Sequence, residues 1–305
     1  MNDMILILNY SDEFAVEAAK RLRGERVFCK IISGTTTAAQ IAEIAPRGLV
    51  LCGEPKSAAG VFDAEILKLG IPVLALGHAA HMLITAMGGA CAGTAISHRK
   101  ASVQYAECRL FSGVEAGERY IQEAMTLMLP ADVQVTAGAG GCTIAFADDR
   151  RSLFGIQFEL ERNDPDGSTI LKNFARDICG CMPWFTMDAA LAEARRMLVD
   201  ASIEGGFAVC GVSGGVDSAV AAVLAHQAFG ERMTAIYVET GLMREGESAA
   251  VQETIERLGI PLRVADRAES VLAGLRGKQT MREKREVVVA CLHEEMIRQT
   301  EAIPG

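Results

Sequence analysis

Residues 207–218, FAVCGVSGGVDS, decide the fold of the second half of the chain. Residues 207–212 (FAVCGV) are apolar without alternation, which is typical of a strand covered on both faces in a parallel sheet. Residues 217–227 (DSAVAAVLAHQ) are rich in alanine and free of Gly and Pro, which predicts a helix. The string SGGVDS between them is therefore a turn from a buried strand into a helix.

This turn has the chemistry of a phosphate site. Gly214 and Gly215 let the backbone approach a phosphate closely, and a helix N-terminus supplies unpaired N–H donors and a partial positive charge. Ser213 and Ser218 add hydroxyl donors, and Asp217 can hold Mg²⁺ jointly with phosphate oxygens. The sequence predicts a site for the pyrophosphate part of ATP, and the alternative is a tight turn that needs glycine for structural reasons alone. The Gly-Lys-Ser/Thr ending of a Walker A loop is absent, which disfavours an ordinary P-loop NTPase.

The composition is that of an ordinary globular protein. With 305 residues, half of them hydrophobic, the chain can form two domains. A net charge of −9 and the absence of a basic block argue against nucleic acid as the main partner. No run reaches the roughly 20 apolar residues that cross a bilayer, and the start lacks the features of a signal peptide. We expect a cytoplasmic protein without a membrane partner.

The nine cysteines are an odd number and include no CxxC pair at zinc spacing. We expect reduced and mostly buried thiols. Cys179 and Cys181 are the one pair for which a redox or metal role is an alternative, although no histidine stands near them in the sequence.

Strands alternate with helices in two stretches, which predicts parallel sheets covered by helices. The first stretch has predicted strands at residues 4–9, 27–32, 48–52 and 71–76, further β segments at 133–136, 143–147 and 153–158, and helices from Ser11 or Asp12 to Arg21 and over 168–178. The second has helices at 187–201, 217–227, 245–258 and 286–300 and strands at 207–212, 233–238 and 262–265. Residues 179–186, with Pro183 and Trp184, are the predicted linker.

Several strings taken together resemble glutamine-dependent GMP synthase, which joins a class I glutamine amidotransferase domain to an N-type ATP pyrophosphatase domain. The matching strings are ILILNYSDEF, GLVLCGEPKS, LGIPVLALGHAAHMLITAMGG, FGIQFELE, ILKNFARDICGC, GVSGGVDSAVAAVLAH and IYVETGLMREGE. The resemblance implies an α/β fold: a flavodoxin-like amidotransferase domain over residues 1–185, then the N-terminal part of a Rossmann-like ATP pyrophosphatase (PP-loop) domain over residues 186–305. Members of the family continue past the position of Gly305, with the rest of that domain and a dimerisation domain.

The resemblance also implies that the glutaminase is inactive. Family members carry a cysteine nucleophile in a turn similar to GICYG and a later His-Pro-Glu string that supplies the base and its orienting acid. In this chain Gly77 stands at the position of the nucleophile, Glu159 at that of the base, and Glu161 is retained. Glu54 would place a negative charge where an oxyanion has to be stabilised.

A Cys–His pair could also have been rebuilt from Cys52 and His78 or His81, which stand at neighbouring strand ends. The alternative is a buried structural thiol beside surface imidazoles, and we favour it.

For the synthetase half, the resemblance implies an ATP-binding segment with Mg²⁺ at Asp217. The residues that would hold the pyrophosphate are Ser213, Gly214, Gly215, Val216, Asp217, Ser218 and Ala219, and Val238 and Glu239 would lie by the adenosine. The implied reaction adenylates xanthosine monophosphate (XMP), releases pyrophosphate, and lets ammonia displace AMP to give GMP. Arg244, Lys284 and Arg285 match basic positions of the family, or are exposed helix charges.

Three functions stay open from the sequence. The first is an ammonia-dependent ligase of the GMP synthase type. The second is a non-catalytic ATP-binding or regulatory homologue, or one half of a split GMP synthase whose missing part is a separate chain. The third is another pyrophosphatase, such as an NAD synthase or a tRNA-thiolating enzyme, and the attached amidotransferase-like segment weakens it.

Overall fold

The computed structural model describes residues 2–10, 12–53, 62–158, 160, 166–203 and 205–303, with the backbone alone described for residues 12 and 13. The chain divides into two compact units, Met1–Thr186 and Met187–Gly305. In the described residues, no helix is both long enough and apolar enough to span a membrane.

The first unit is built on one sheet of nine strands. The strands are β1 (Asn2–Asn9), β2 (Cys29–Ser33), β3 (Pro46–Cys52), β4 (Val73–Leu76), β5 (Ala90–Tyr105), β6 (Gly117–Met128), β7 (Gln134–Ala139), β8 (Cys142–Asp148) and β9 (Leu153–Ile156). The helices are α1 (Asp12–Gly24), α2 (Ala38–Ile44), α3 (His78–Ala86) and α4 (Gly167–Lys172), and a π-helical turn over Asn173–Ile178 continues α4.

The strand order is β2-β1-β3-β4-β9-β8-β7-β5-β6. The first five strands in this order pair in parallel, and their order, 2-1-3-4 followed by the last strand of the unit, is that of flavodoxin-like folds. The apolar runs of β1, β3 and β4 are buried on both faces, as the sequence predicts. The β segments predicted at residues 143–147 and 153–158 are strands β8 and β9, which pair antiparallel.

Strands β5 and β6 form a long antiparallel arm that the sequence does not predict. Most side chains of β5 are exposed, and the buried ones, Ile96 and Val103, are far apart. A strand with so few buried positions carries no regular apolar alternation, which is why no period is visible there.

The second unit contains a sheet of three parallel strands, β10 (Ala208–Val212), β11 (Met233–Glu239) and β12 (Leu262–Asp266), in the order β10-β11-β12. Its helices are α5 (Met187–Ile203), α6 (Val216–Phe229), α7 (Glu247–Arg257), α8 (Ala268–Leu275) and α9 (Met281–Glu301). The predicted α/β fold class is confirmed, and α8 is a helix that the sequence analysis misses.

One expectation for this unit is wrong. The apolar run over residues 207–212 predicts a strand covered on both faces, but β10 lies at an edge of its sheet. Within it Val212 alone is buried, Ala208 to Cys210 are partly buried, and Gly211 is exposed. An apolar run indicates that the side chains of a strand tend to be buried. Which strands lie beside it is decided by the rest of the chain.

Candidate functional site

The SGGVDS turn is placed as the sequence predicts, between β10 and α6. Gly214 has a φ of +81°, a left-handed conformation that favours glycine. A Cβ on Gly214 would also lie 2.6 Å from Cγ2 of Val251, so the position has no room for a side chain. Gly215 has an extended backbone (φ −75°, ψ 152°) and stands immediately before the first residue of α6, Val216. The two glycines therefore have different roles: Gly214 forms the turn, and Gly215 is the N-cap residue of α6.

The hydroxyl of Ser218 holds the turn together. It donates to the carbonyl oxygen of Gly215 (3.0 Å) and accepts from the backbone N–H of Ser213 (3.2 Å), and the two serine hydroxyls lie 3.3 Å apart. The first intrahelical bond of α6 runs from Ala219 N to Gly215 O. The N–H groups of the first turn before Ala219 have no acceptor within the helix, so they are donors for an anion at its positive end. The turn itself is exposed.

A cavity of about 170 Å³ lies beside the turn and reaches α7. Its lining residues are Val212, Gly214, Ser218, Ala219, Glu247, Ala250, Val251, Thr254 and Ile255. Small-molecule sites usually enclose about 300–1,000 Å³, so this cavity is smaller than a typical complete site.

Glu239 is brought to the same edge of the sheet as the turn. Val212 is in register with Tyr237, so the residues that follow β10 lie beside the end of β11. The carboxylate of Glu239 accepts the N–H of Gly241 (2.8 Å) and the hydroxyl of Ser248. The hydroxyl of Tyr237 donates in turn to Ser248 Oγ (2.8 Å). Val238, by contrast, has a buried side chain, so it can offer a ligand its backbone alone.

Sequence reasoning missed Ser248 as a partner of Glu239, and Tyr237 as a donor to Ser248. Ser248 stands nine residues further along the chain, on α7, and a polar residue on a helix face carries no signal of this contact. The carboxylate of Glu239 is thus held in one orientation by two donors.

The other charged residues that the sequence singles out are exposed. Asp217 lies in the first turn of α6, and Arg244, Lys284 and Arg285 are exposed as well, with no contact in the structure that brings these three to the described turn. Among the residues that the structure describes, no group of three or more His, Cys, Asp and Glu side chains is arranged to hold a metal ion. A Mg²⁺ ion at Asp217 would need oxygen ligands from a bound molecule or water.

In the first unit, Gly77 occupies a turn of the shape that suits a nucleophile. It follows β4 directly, has φ 59° and ψ −127°, and precedes α3, and its N–H donates to Ile156 O (2.8 Å). A sharp strand-to-helix turn of this kind lifts the side chain of its central residue above the sheet. Here that residue has no side chain. Glu54, Glu159 and Glu161 lie outside the described residues.

The two histidines after this turn are partly buried and engaged with other groups, so the expectation of surface imidazoles is wrong. His78 Nε2 lies 3.0 Å from Glu123 Oε2, and hydrogen bonds from Thr94 and then His78 hold the pKa of Glu123 below its usual range. His81 Nε2 lies 2.6 Å from Gln157 Oε1. Gln157 is itself buried and also bonds the backbone of Met125 and Thr143, so the cluster ties β6, β8 and the end of β9 to α3.

The nine cysteines are free thiols, but only Cys29, Cys52, Cys179 and Cys181 are buried, so the expectation that most of them are buried is wrong. Burial raises the pKa of Cys179, and it raises that of Cys181 to about 12. A thiol with so high a pKa is a poor nucleophile and a poor metal ligand, which argues for packing roles. Cys52 is fully buried as well.

Comparisons with known proteins show which proteins this chain resembles. A family model described as NAD synthase matches residues 195–295, the part of the chain with the SGGVDS turn. The glutamine-hydrolysing GMP synthase of Rhodopseudomonas palustris is 33% identical over 305 residues, which cover 94% of this chain and 56% of that enzyme. The same enzyme from Limosilactobacillus reuteri is 32% identical, over 94% of this chain and 57% of its own length. The chain is thus similar to glutamine-hydrolysing GMP synthases over most of its own length.

The similarity to GMP synthases runs through both units, whereas the NAD synthase model lies within the second unit, from the middle of α5 into α9. A crystal structure of a candidate GMP synthase subunit from Thermoplasma acidophilum shares the fold, with a TM-score of 0.52 at 18% identity over 58% of this chain and 94% of that one. The chain spans about half the length of the curated GMP synthases that it matches.

Proposed function

We propose that the chain is the ATP-binding part of a GMP synthase-type ligase, in which ATP and Mg²⁺ drive the amination of XMP to GMP with release of AMP and pyrophosphate. We further propose that the nitrogen comes from free ammonia and not from glutamine. The observation that carries the proposal is the SGGVDS turn, with its left-handed Gly214 and open helix N-terminus, in a chain similar to GMP synthases.

The residues of the turn fit a bound polyphosphate. Gly214 has a left-handed φ, and a Cβ there would clash with Val251, so the turn needs glycine to keep the shape that leads into the open N-terminus of α6. Backbone N–H groups of Val216, Asp217 and Ser218 would bind phosphate oxygens without any change of backbone, because Ser218 already fixes the turn. Magnesium, when bound with ATP, neutralises charge that develops on the leaving pyrophosphate.

Glu239 would hold the nucleoside end of ATP. Its carboxylate is fixed by Gly241 and Ser248 and still has lone pairs that can accept hydrogen bonds from ribose hydroxyls. Val212 and Tyr237 are in register, so the SGGVDS turn and Glu239 follow the ends of neighbouring strands. One nucleotide would contact both the turn and Glu239. We assign Glu239 a positioning role, with Ser248 as its support.

The glutaminase is proposed to be absent, with residues 1–185 an inactive amidotransferase domain and residues 186–305 the N-terminal part of the ATP pyrophosphatase domain. Gly77 supplies no nucleophile, and Glu159 would replace the imidazole base. Covalent catalysis on a glutamine amide needs both groups. The first unit would then release no ammonia from glutamine for the second unit to use.

A second candidate is a non-catalytic ATP-binding or regulatory protein. It is favoured by the loss of the glutaminase nucleophile at Gly77. A further alternative is a split enzyme, in which a separate chain would supply the part of GMP synthase that is not matched here, including contacts to XMP.

The test is an assay with ATP, Mg²⁺, XMP and ammonium, with AMP and GMP measured by chromatography. It is run on the chain alone and on the chain mixed with the unmatched portion of the Rhodopseudomonas palustris enzyme, expressed separately. We expect AMP and GMP in equal amounts in the mixture, and none when glutamine replaces ammonium. Saturable ATP binding without AMP in either arm would contradict the ligase and support the second candidate. The carboxylic acid precursor of NAD, as a control substrate, should give no product.

A further inference from the structure

A cavity of about 740 Å³ in the first unit has no part in the proposed function. Its volume is within the range of about 300–1,000 Å³ that is usual for small-molecule sites. Its walls come from the end of β5 and the residues that follow it, from the turn after β8, and from the π-helical turn Asn173–Ile178. Single π-helical turns are rare and occur frequently at functional sites. The size and the walls of the cavity are therefore those of a small-molecule site.

This cavity lies at the opposite end of the parallel strands from the Gly77 turn. Gly77 follows the end of β4, which is in parallel register with the end of β9. Asp149, in the wall of the cavity, follows the end of β8, where Asp148 pairs with Leu153 at the start of β9. The two turns lie at opposite ends of β9, so the cavity is separate from the position of the glutaminase nucleophile.

The charge of the cavity is mostly negative. Its lining has one basic residue, Arg109, and three carboxylates, those of Glu107, Asp149 and Asp177. Arg109 Nη2 lies 3.3 Å from Asp149 Oδ1, whereas Glu107 and Asp177 have no salt-bridge partner among the described residues. Carboxylates that share one cavity disfavour each other's charged form, and a bound cation compensates this effect. The charge of the lining therefore favours a cationic ligand.

One wall of the cavity is aromatic and held in place. The ring centroids of Tyr105 and Phe111 are 4.6 Å apart, and both residues line the cavity. The buried side-chain amide of Asn173 donates to the carbonyl oxygens of Leu110 (3.0 Å) and Ser112 (2.8 Å), which ties this wall to the π-helical turn. Aromatic rings bind flat apolar groups and attract cations, and a wall that is ordered before binding costs less entropy on binding.

We propose that this cavity binds a small organic cation, in which a protonated amine or an amidinium is attached to a flat apolar group. The cationic group would lie among the three carboxylates, and the flat group would lie against the rings of Tyr105 and Phe111. A bare metal ion fits less well, because no group of three or more His, Cys, Asp and Glu side chains in the described part of the chain is arranged to hold one. The proposal is independent of the ligase reaction, since it involves no residue of the SGGVDS turn.

Titration of the full chain with tyramine at low ionic strength, followed through the amide resonances in NMR spectra, tests the proposal. Tyramine joins an ammonium group to an aromatic ring. We expect saturable shifts confined to residues 105–114, 149–152 and 173–178, with a Kd on the order of 1 mM, which is usual for so small a ligand. Shifts that do not saturate, or that lie elsewhere in the chain, would overturn the proposal.

Two further probes separate the charge from the ring. The probe 4-hydroxyphenylacetate has the ring of tyramine with a carboxylate in place of the ammonium, and should bind at least about tenfold more weakly. Putrescine has ammonium groups and no ring, and should bind at least about threefold more weakly. Equal binding of tyramine and 4-hydroxyphenylacetate would overturn the proposal. Tighter binding of a tetralysine peptide than of tyramine at the same residues would assign the cavity to a basic segment of another protein, and would overturn it too.

Matched variants test the carboxylates. Asp177→Asn and Glu107→Gln should each weaken tyramine binding about threefold or more, because each removes one negative charge from the cavity. Glu43→Gln removes an exposed carboxylate on α2, outside the cavity, and should leave the Kd unchanged. All three side chains are exposed, so the variants should unfold at the temperature of the wild type. The same Kd in the two cavity variants as in Glu43→Gln would overturn the proposal.

Discussion

Gly214→Ala should weaken Mg-ATP binding far more than Gly215→Ala, although the two glycines are neighbours. Gly214 has a φ of +81°, and a Cβ there would lie 2.6 Å from Cγ2 of Val251. Gly215 has a φ of −75°, which any residue adopts, and the nearest atom to a Cβ there is Ser213 Oγ at 3.6 Å. The pair therefore tests whether the shape of the turn, and not merely its glycine content, matters for binding.

The magnitude follows from two costs at Gly214. A left-handed backbone costs alanine about 1–2 kcal/mol. Displacing Val251, which is buried in the core, adds roughly 1–3 kcal/mol of overpacking. If the turn keeps its shape, the free energy of unfolding falls by the sum of the two. If it relaxes instead, the loss appears in ATP binding, at about tenfold in Kd for each 1.4 kcal/mol. Gly215→Ala should cost less than about 1 kcal/mol.

The assay combines thermal unfolding with isothermal titration of Mg-ATP. It includes Val251→Ala and the double variant Gly214→Ala/Val251→Ala, which relieves the contact while leaving the backbone strain. We expect the double variant to recover part of the loss. Equal Kd and Tm values for the two glycine variants would refute the reasoning.

The remaining predictions concern charge and chemistry. Asp217→Asn should weaken Mg-ATP binding about tenfold, equivalent to about 1.4 kcal/mol, and should change ATP binding in EDTA little. Equal losses of affinity in both titrations would show that Asp217 does not hold Mg²⁺. Purified protein should release no glutamate from glutamine, and Gly77→Cys alone should not restore release because Glu159 replaces the base; release by the wild type would disprove the inactive glutaminase. Hydrogen bonds from the Arg298 side chain lower the pKa of buried Glu295 from 4.5 to about 2. The ionised Glu295 therefore contributes its full stabilisation above about pH 4.5, and this stabilisation is lost as the pH falls toward 2. Glu295→Gln should cost roughly 1–3 kcal/mol at pH 7 and flatten this acid loss in urea unfolding; identical pH profiles would contradict it.

Local patterns predicted much of this fold. The apolar runs at residues 4–9 and 48–52 are buried strands, and the alanine-rich run after Asp217 is a helix, because these patterns depend on neighbours along the chain. The short helix α8 was missed because eight residues that include Gly274 carry little helical signal.

Other features depend on contacts between distant residues and could not be predicted. The edge position of β10 follows from strand order, and the fixed carboxylate of Glu239 follows from Ser248 on a helix across the turn. The SGGVDS turn was predictable, because its glycines and the apolar and alanine-rich runs on either side of it are local signals in the sequence. The cluster of His78, His81, Glu123 and Gln157 was not, because α3, β6, β8 and the end of β9 meet there.

The most direct test of the central claim is isothermal titration of the folded wild-type chain with Mg-ATP. The account predicts saturable binding at one site, which competition with pyrophosphate reduces, since both would use the N–H groups at the start of α6. Absence of saturable heat on protein with a cooperative thermal transition, or binding that pyrophosphate does not affect, would contradict it.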